Sequence, residues 1–404
     1  MTRTHRRTPL FLVALVMLGL AVVAAPAEAQ SPAIAGSTYI AAPPSRVLDT
    51  RDGTGGVSAA LGSGGVLAFR PAADHPDATA VVLNVVAITP SQAGFLTVYP
   101  DGSPKPATSN VDFSAGQTTA NLVMVPVANG VIDVFNHFGN TDVLADLEGY
   151  YVPSTSGTGF TASTPIRKLD TRDGTGRGGA VGPIGPGGTI SLNLPSLPPD
   201  ATSAVLNLTA TNGTAPSVLT AYAAGPTRPN TSNLNFDAGQ TLANLTVVSL
   251  TSRTLTIWNL AGSVDVVADL VGYYTSGSGS TFTPITPTPM FNTLDGTGAH
   301  GVAPLGSGDA AKAIVQVAGS GVVPANATAV LVHVAVTNAT QTSFLTAYAD
   351  STSRPSTSNI NFAAGQIVSN SMIVPVVNGA IDLWNSNGNV DIVADLSGYY
   401  MPVD

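Results

Sequence analysis

The sequence predicts an all-β protein built from three tandem β-sandwich modules of jelly-roll type, and three observations carry that prediction. The hexapeptide motif Asp-Leu-x-Gly-Tyr-Tyr occurs at Asp146–Tyr151, Asp269–Tyr274 and Asp395–Tyr400, spaced 123 and then 126 residues apart. That period is the size of a domain rather than of a short solenoid repeat. The chain holds 42 Gly and 30 Pro but only two Glu, Glu28 and Glu148, and few Lys, so it lacks the residues from which solvent-facing helices are made. Within each repeat, short apolar or alternating runs are separated by Gly, Pro, Asn and Ser clusters, giving seven or eight strands in roughly 115–120 residues, the size of a sandwich or jelly roll.

Taken in order, residues 1–29 read as a secretory signal peptide. Arg3, Arg6 and Arg7 precede an apolar run from Leu10 to Ala25, and Ala27-Glu28-Ala29 forms a small-x-small cleavage site. The expected location is extracellular, secreted or attached to the cell surface. No later stretch stays apolar for the roughly 18 residues a spanning helix needs, so no membrane insertion is expected after cleavage.

Module 1 is expected over residues 37–153, module 2 over 160–275 and module 3 over 282–404. In module 1 the strands fall at Gly65–Arg70, Thr79–Ile88, Gly94–Tyr99, Ser109–Phe113, Thr118–Val127, Val131–Asn136 and Asp142–Tyr151. A first strand is expected near Thr38–Ala41, with a short one at Arg46–Asp49. Residues 154–159 and 276–281 are Gly, Ser and Thr throughout and read as short flexible linkers. With 44% apolar and only 10% charged residues, the composition favours modules that pack on each other, around a pseudo-threefold axis, over beads on a string.

Composition also excludes partners. The formal net charge is −9, and cleavage of a leader carrying three Arg and one Glu makes it more negative. An acidic chain without basic clusters is unsuited to nucleic acid or anionic membranes, which are bound by releasing counterions to Lys and Arg. The absence of cysteine removes disulfides, thiolate zinc sites and a Cys nucleophile.

Four patterns are candidates for chemistry. Leu-Asp-Thr-Arg-Asp-Gly-Thr-Gly opens modules 1 and 2, and module 3 keeps the turn with Asn292 and Leu294 in place of the first Asp and the Arg. These residues fit a turn in which Asp49, Arg51, Asp170 and Arg172 are structural. The alternative is a calcium site using Asp49 and Asp52, or Asp170 and Asp173; no other cofactor is expected. Asp146, Asp269 and Asp395 lie among apolar neighbours and need partners; Arg51 for Asp146 and Arg172 for Asp269 are the expected ones.

The third pattern is Ser-Asn-x-(Asp/Asn)-Phe with a following Ala-Gly-Gln and Asn121, Asn244 or Asn370, whose amides either tie loops or read sugar hydroxyls. The fourth is Phe135-Asn136, Trp258-Asn259 and Trp384-Asn385. Alternation places each aromatic on the polar side of its strand, where it either stacks on a sugar or packs under a loop. These six residues are the ligand-binding candidates. No nucleophile elbow, zinc-protease motif or phosphate loop is present, and the histidines of the expected mature chain fall at different places in their modules, so no catalytic residues are assigned.

The combination of Leu-Asp-Thr-Arg-Asp-Gly-Thr-Gly, Ser-Asn-(Val/Leu/Ile)-(Asp/Asn)-Phe-x-Ala-Gly-Gln and Ala-Asp-Leu-x-Gly-Tyr-Tyr resembles a tandem repeat module of secreted actinobacterial proteins, often found beside hydrolase domains. The resemblance spans all three modules, with module 3 departing at Asn292 and Leu294. It implies an extracellular accessory module without established activity, so it transfers no site residues. The resulting expectation is a non-catalytic cell-surface protein that engages polysaccharide or cell wall. A purely structural or adhesive protein acting through protein contacts is the alternative, and a hydrolase the distant third.

Overall fold

A computed structural model describes residues 36–153, 157–225, 227–299, 301–319 and 321–403. The expected signal peptide, over residues 1–29, lies outside them, as does His300. Module 1 contributes β1 (Thr38–Asp49), β2 (Val66–Phe69), β3 (Ala80–Ile88), β4 (Gly94–Pro100), β5 (Val111–Phe113), β6 (Thr119–Pro126), β7 (Ile132–Asn136) and β8 (Asp142–Val152). Module 2 repeats the set as β9 (Thr158–Asp170), β10 (Thr189–Asn193), β11 (Ala201–Thr211), β12 (Ser217–Ala223), β13 (Leu234–Phe236), β14 (Leu242–Ser249), β15 (Thr254–Asn259) and β16 (Asp265–Ser276). Module 3 does so as β17 (Thr281–Asn292), β18 (Ala313–Gln316), β19 (Ala329–Thr337), β20 (Ser343–Ala349), β21 (Ile360–Phe362), β22 (Val368–Pro375), β23 (Ala380–Asn385) and β24 (Asp391–Met401).

Each module is a two-sheet antiparallel sandwich. In module 1 an inner sheet runs β1-β8-β3-β6 and an outer sheet β2-β7-β4-β5, the strand order of a jelly roll, and modules 2 and 3 copy it. The two expected opening strands are one, β1, whose pairing with β8 is interrupted between Ala41 and Ser45. Pro43 and Pro44 fall in that gap, and proline cannot donate to the ladder.

The inner strands explain the apolar composition. β3 is buried at eight of its nine residues and β6 at all eight, because one face closes the module's own sandwich and the other meets neighbouring modules. Residues 33–404 accordingly form one compact unit rather than a string of separate modules. A central cluster draws Tyr39, Val82, Met124 and Tyr151 from module 1, Phe160, Val205 and Tyr274 from module 2, and Phe282, Leu331 and Tyr400 from module 3.

The repeated hexapeptide builds that centre. Its third residue, Glu148 in module 1, is skipped in the pairing of β3 with β8: Val82 opposes Gly149 and Leu83 opposes Leu147. The bulge resets the in-out alternation. Tyr150 therefore packs in the module core, while Tyr151 points to the axis. There the hydroxyls of Tyr151, Tyr274 and Tyr400 close a triangle with sides of 2.5, 3.0 and 3.1 Å. The glycine is required because the first-strand aromatic lies against it: a Cβ on Gly149, Gly272 or Gly398 would come within 2.3–2.4 Å of Tyr39, Phe160 or Phe282.

The six rings form a pinwheel with one sense of rotation. Tyr39 packs on Tyr274 at 4.4 Å, Phe160 on Tyr400 at 4.4 Å and Phe282 on Tyr151 at 4.6 Å. The expected flexible linker at 276–281 is instead ordered backbone: Phe160 and Ser280 exchange hydrogen bonds of 2.9 and 2.7 Å, as Ser37 and Phe282 do at 2.7 and 2.8 Å. Glycines are needed there for close approach, since a Cβ on Gly159 would sit 2.2 Å from the Ser278 carbonyl.

Candidate functional site

The opening motif is a turn held by its own side chains. Arg51 donates from its backbone amide, Nε and Nη2 to Asp49 at 3.0, 2.9 and 2.8 Å, and Arg172 does the same to Asp170 at 3.0, 2.8 and 2.7 Å. The Arg51 hydrogen bonds hold the Asp49 carboxyl down to about 2, against the opposing effect of burial. Asp52 and Asp173 each accept a backbone amide two residues on, at 2.9 and 2.8 Å. A cation between Asp49 and Asp52 would meet a guanidinium already seated there, and no cluster of metal-ligating groups occurs among the described residues.

The expected partners of the buried aspartates need correcting. Asp146 pairs with Arg46, not Arg51, through Nε at 2.8 Å and Nη2 at 3.2 Å, and Asp269 pairs with Arg167, not Arg172, at 3.0 and 3.3 Å. The reason is register. Arg46 and Arg167 stand directly across the ladder from Asp146 and Asp269, whereas Arg51 and Arg172 are turned back into their own turns. Burial raises the Asp146 and Asp269 carboxyls, with the facing Arg opposing that effect. Module 3 has Pro289 opposite Asp395 and so no guanidinium there. Asp395 is pushed up to about 6 by burial, and its Oδ1 has no hydrogen-bond partner.

The amides of the Ser-Asn motif hold the modules together. Asn110, Asn233 and Asn359 each accept the amide of a β4-type strand, at 2.7, 2.7 and 2.8 Å. At the seam between modules 1 and 2, Asn84 Nδ2 donates to the Ser232 carbonyl at 2.5 Å, Asn244 Nδ2 donates to Asn84 Oδ1 at 2.9 Å, and the Leu122 amide donates to Asn244 at 3.0 Å. The 2–3 seam repeats this with Asn207 to Ser358 at 2.6 Å, Asn370 to Asn207 at 2.9 Å and Leu245 to Asn370 at 3.0 Å. At the 3–1 seam His333 takes the place of Asn84 and Asn207.

The six ligand-binding candidates are placed as follows. Asn136, Asn259 and Asn385 are fully buried, and each Nδ2 donates to loop carbonyls, for example Asn136 to Leu61 at 2.9 Å and Gly139 at 2.9 Å. These amides fasten loops and face no ligand. Phe135, Trp258 and Trp384 lie on the outer face of the outer sheet, but one face of each ring is covered by a cation from the β4–β5, β12–β13 or β20–β21 loop: Lys105 at 4.7 Å, Arg228 at 3.9 Å and Arg354 at 3.9 Å. The expected sugar platform is therefore occupied by the module itself. The signal for this was the Lys-Pro or Arg-Pro dipeptide at 105–106, 228–229 and 354–355, which recurs in all three modules.

An open surface does occur beside one of these aromatics. A groove of about 530 Å³ runs between the 239–241 turn of module 2 and the outer sheet of module 3. No charged residue lines it; Gln240, Phe344, Asn361, Gln366 and Asn387 do, with Thr342 at the edge. Gln240 and Gln366 accept their own turns' amides through Oε1, at 3.0 and 2.9 Å, which leaves their NH2 groups free of that duty. Phe344 stands opposite Asn361 in the β20–β21 pair and 5.6 Å from the Trp384 ring, and Asn361 Nδ2 is buried from solvent and has no partner among the described residues. The other two seams lack this set: the positions of Phe344 and Asn387 hold Val218 and Ala261 in module 2, and that of Asn387 holds Phe138 in module 1.

No family model matches the chain, and no curated protein matches it. Two solved structures align over most of its length. One is described as the atomic structure of Sulfolobus turreted icosahedral virus, with 14% identity over 86% of this chain and 87% of that one, at a TM-score of 0.18. The other, described as the triple jelly roll fold and turret assembly in an archaeal virus, shows 13% identity over 91% and 90%, also at 0.18. Scores this low carry no argument about this chain, whose jelly-roll assignment rests on its own strand order.

Proposed function

We propose that the chain is an exported, non-catalytic surface protein that engages neutral polysaccharide, as an accessory module of the secreted actinobacterial type would. The observation that carries this reading is the uncharged groove between modules 2 and 3. Amides that both donate and accept, beside a partly exposed phenyl ring, match the alternating hydroxyl and C–H faces of a sugar. An acidic or phosphorylated ligand would find no cation there. Hydrolysis is disfavoured because the groove holds no carboxylate pair. The test is retention of the expected mature chain on insoluble peptidoglycan, chitin and cellulose, with soluble reducing ends assayed alongside. Retention without release is the expected result, weakened at least tenfold by Phe344→Ala with Asn361→Ala and unchanged by Trp258→Ala.

The structural or adhesive reading has its own support: the repeated Asn, Asp, Arg and Tyr residues are spent on turns, loops and seams. Retention on none of the polymers would favour that reading over polysaccharide binding.

A further inference from the structure

The three seams of the ring are not equivalent. Chain continuity ties module 1 to module 2 and module 2 to module 3, whereas the 3–1 seam is closed by non-covalent contacts alone. The inner sheets of modules 1 and 2 join through β1 and β9 into one eight-stranded sheet, and one continuous apolar cluster covers the cores of modules 2 and 3; neither link spans seam 3–1. The seam without a covalent tie is also the one whose polar residues differ. Seams 1–2 and 2–3 use Asn84 or Asn207, a neutral Asn235 or Asn361 across the seam, and an Asp neutralised by Arg46 or Arg167, seam 1–2 adding the buried Glu148. Seam 3–1 uses His333, Asp112 and an Asp395 facing Pro289.

His333 is 2% exposed and sits between two carboxylates. Asp395 is its cross-strand neighbour in module 3, and Asp112 Oδ2, from β5 of module 1, lies 3.5 Å from its Nε2. Its Nδ1 faces only neutral groups, Ser371 Oγ and Asn121 Nδ2, each at 3.5 Å. Asp112 also accepts Ser109 Oγ at 2.9 Å, and the Ser109 amide lies against Asp395. Among the described residues no Arg or Lys is ion-paired with either acid, so the charge of Asp395 is not balanced as Arg46 and Arg167 balance Asp146 and Asp269.

We propose that closure of the ring between modules 3 and 1 is proton-operated: the seam is held shut in mild acid, and loosens as Asp395, set beside His333 and Asp112, loses its proton, while seam 2–3 stays closed. With Asp395 protonated, a neutral carboxylic acid faces His333; once it ionises, a carboxylate without the guanidinium that seams 1–2 and 2–3 supply is left in a poorly solvated junction near Asp112, which is unfavourable. The sign follows for Asp395. Its carboxyl is pushed up to about 6 in the closed ring, against about 3.9 when solvated, so its contribution to closure is full below pH 4 and fades as pH rises through 6.

The test is hydrogen exchange of the full chain, corrected for intrinsic rates, at pH 5 and pH 8. Segments 109–113 and 369–373, which face each other across seam 3–1, should lose at least tenfold in protection at pH 8. Segment 358–362, at seam 2–3, serves as the control, because seam 1–2 carries the buried Glu148 against Asn233. Asp112→Asn with Asp395→Asn should flatten the difference. Equal loss at all segments, no loss at 109–113 and 369–373, or an unchanged difference in the double variant would each overturn the proposal. Should the variant not fold, the wild-type comparison of seams decides it alone.

Discussion

The hydroxyl of Tyr151 lies 2.5 Å from that of Tyr274, though the two residues are 123 positions apart and belong to different modules. With Tyr400 they close a triangle of hydroxyl–hydroxyl hydrogen bonds. Removing one hydroxyl leaves another without its full complement in a site closed to water. Tyr274→Phe is therefore expected to destabilise the whole unit by about 1–3 kcal/mol, read as a shift of a single denaturant transition.

The glycine of the repeated hexapeptide should be intolerant of substitution. In Gly272→Ala the new Cβ would stand 2.4 Å from the Phe160 ring, which is itself packed on Tyr400. Overpacking of this kind costs about 1–3 kcal/mol or more. Thermal unfolding of Gly272→Ala against Gly277→Ala, where a Cβ meets nothing, separates this clash from general glycine effects, since Gly277 carries only backbone strain.

The two arginines of module 2 should behave differently. Arg167→Gln strips the buried Asp269 of the guanidinium that hydrogen-bonds it, and about 3–5 kcal/mol is the usual consequence of breaking such a pair from one side. Arg172 is 45% exposed and serves a turn, so Arg172→Gln should cost about 1 kcal/mol or less. Equal effects would mean that the Arg167–Asp269 pairing is wrong.

Stability should fall from mild acid to alkali. Glu148 is buried at the 1–2 seam, where Asn233 donates to Oε1 at 2.6 Å and the Val247 amide to Oε2 at 3.3 Å, and burial pushes its carboxyl up to about 8. The folded state thus keeps a proton that the unfolded chain, with a carboxyl near 4.3, has released. That stabilisation is complete below about pH 4 and declines as pH rises to 8. Asp49 has the opposite sign: its lowered carboxyl stabilises above about pH 4, and the effect is lost as pH falls towards 2. Denaturant titrations from pH 3 to 9 should show the maximum in mild acid, and Glu148→Gln should flatten the alkaline limb.

Much of the fold was legible in the sequence because its cause is local. Strand periodicity, turn residues and the recurring hexapeptide are readable one segment at a time, and the high apolar content pointed to modules that cover each other. Partner choice was not. Arg46 and Arg51 are both near Asp49 in sequence, and only the β1–β8 register shows that Arg46 faces Asp146. The bulge at Glu148, which sends Tyr151 to the axis, looks like ordinary strand in sequence. Whether Trp258 and Trp384 are open platforms or lie under a loop was not legible, because alternation fixes the face of a side chain but not the loop above it, and Arg228 and Arg354 arrive from such loops. The groove between modules 2 and 3 has no linear signature, since Gln240 and Phe344 meet only once the ring is assembled.

The closed ring is the claim on which the seams, the groove and the Tyr triangle all depend, and small-angle X-ray scattering of the expected mature chain at pH 5 tests it most directly. A compact unit of this length should give a radius of gyration of about 21 Å with a single-particle distance distribution. A value above about 30 Å, with separate intra- and intermodule maxima, would show modules strung on linkers and contradict the account.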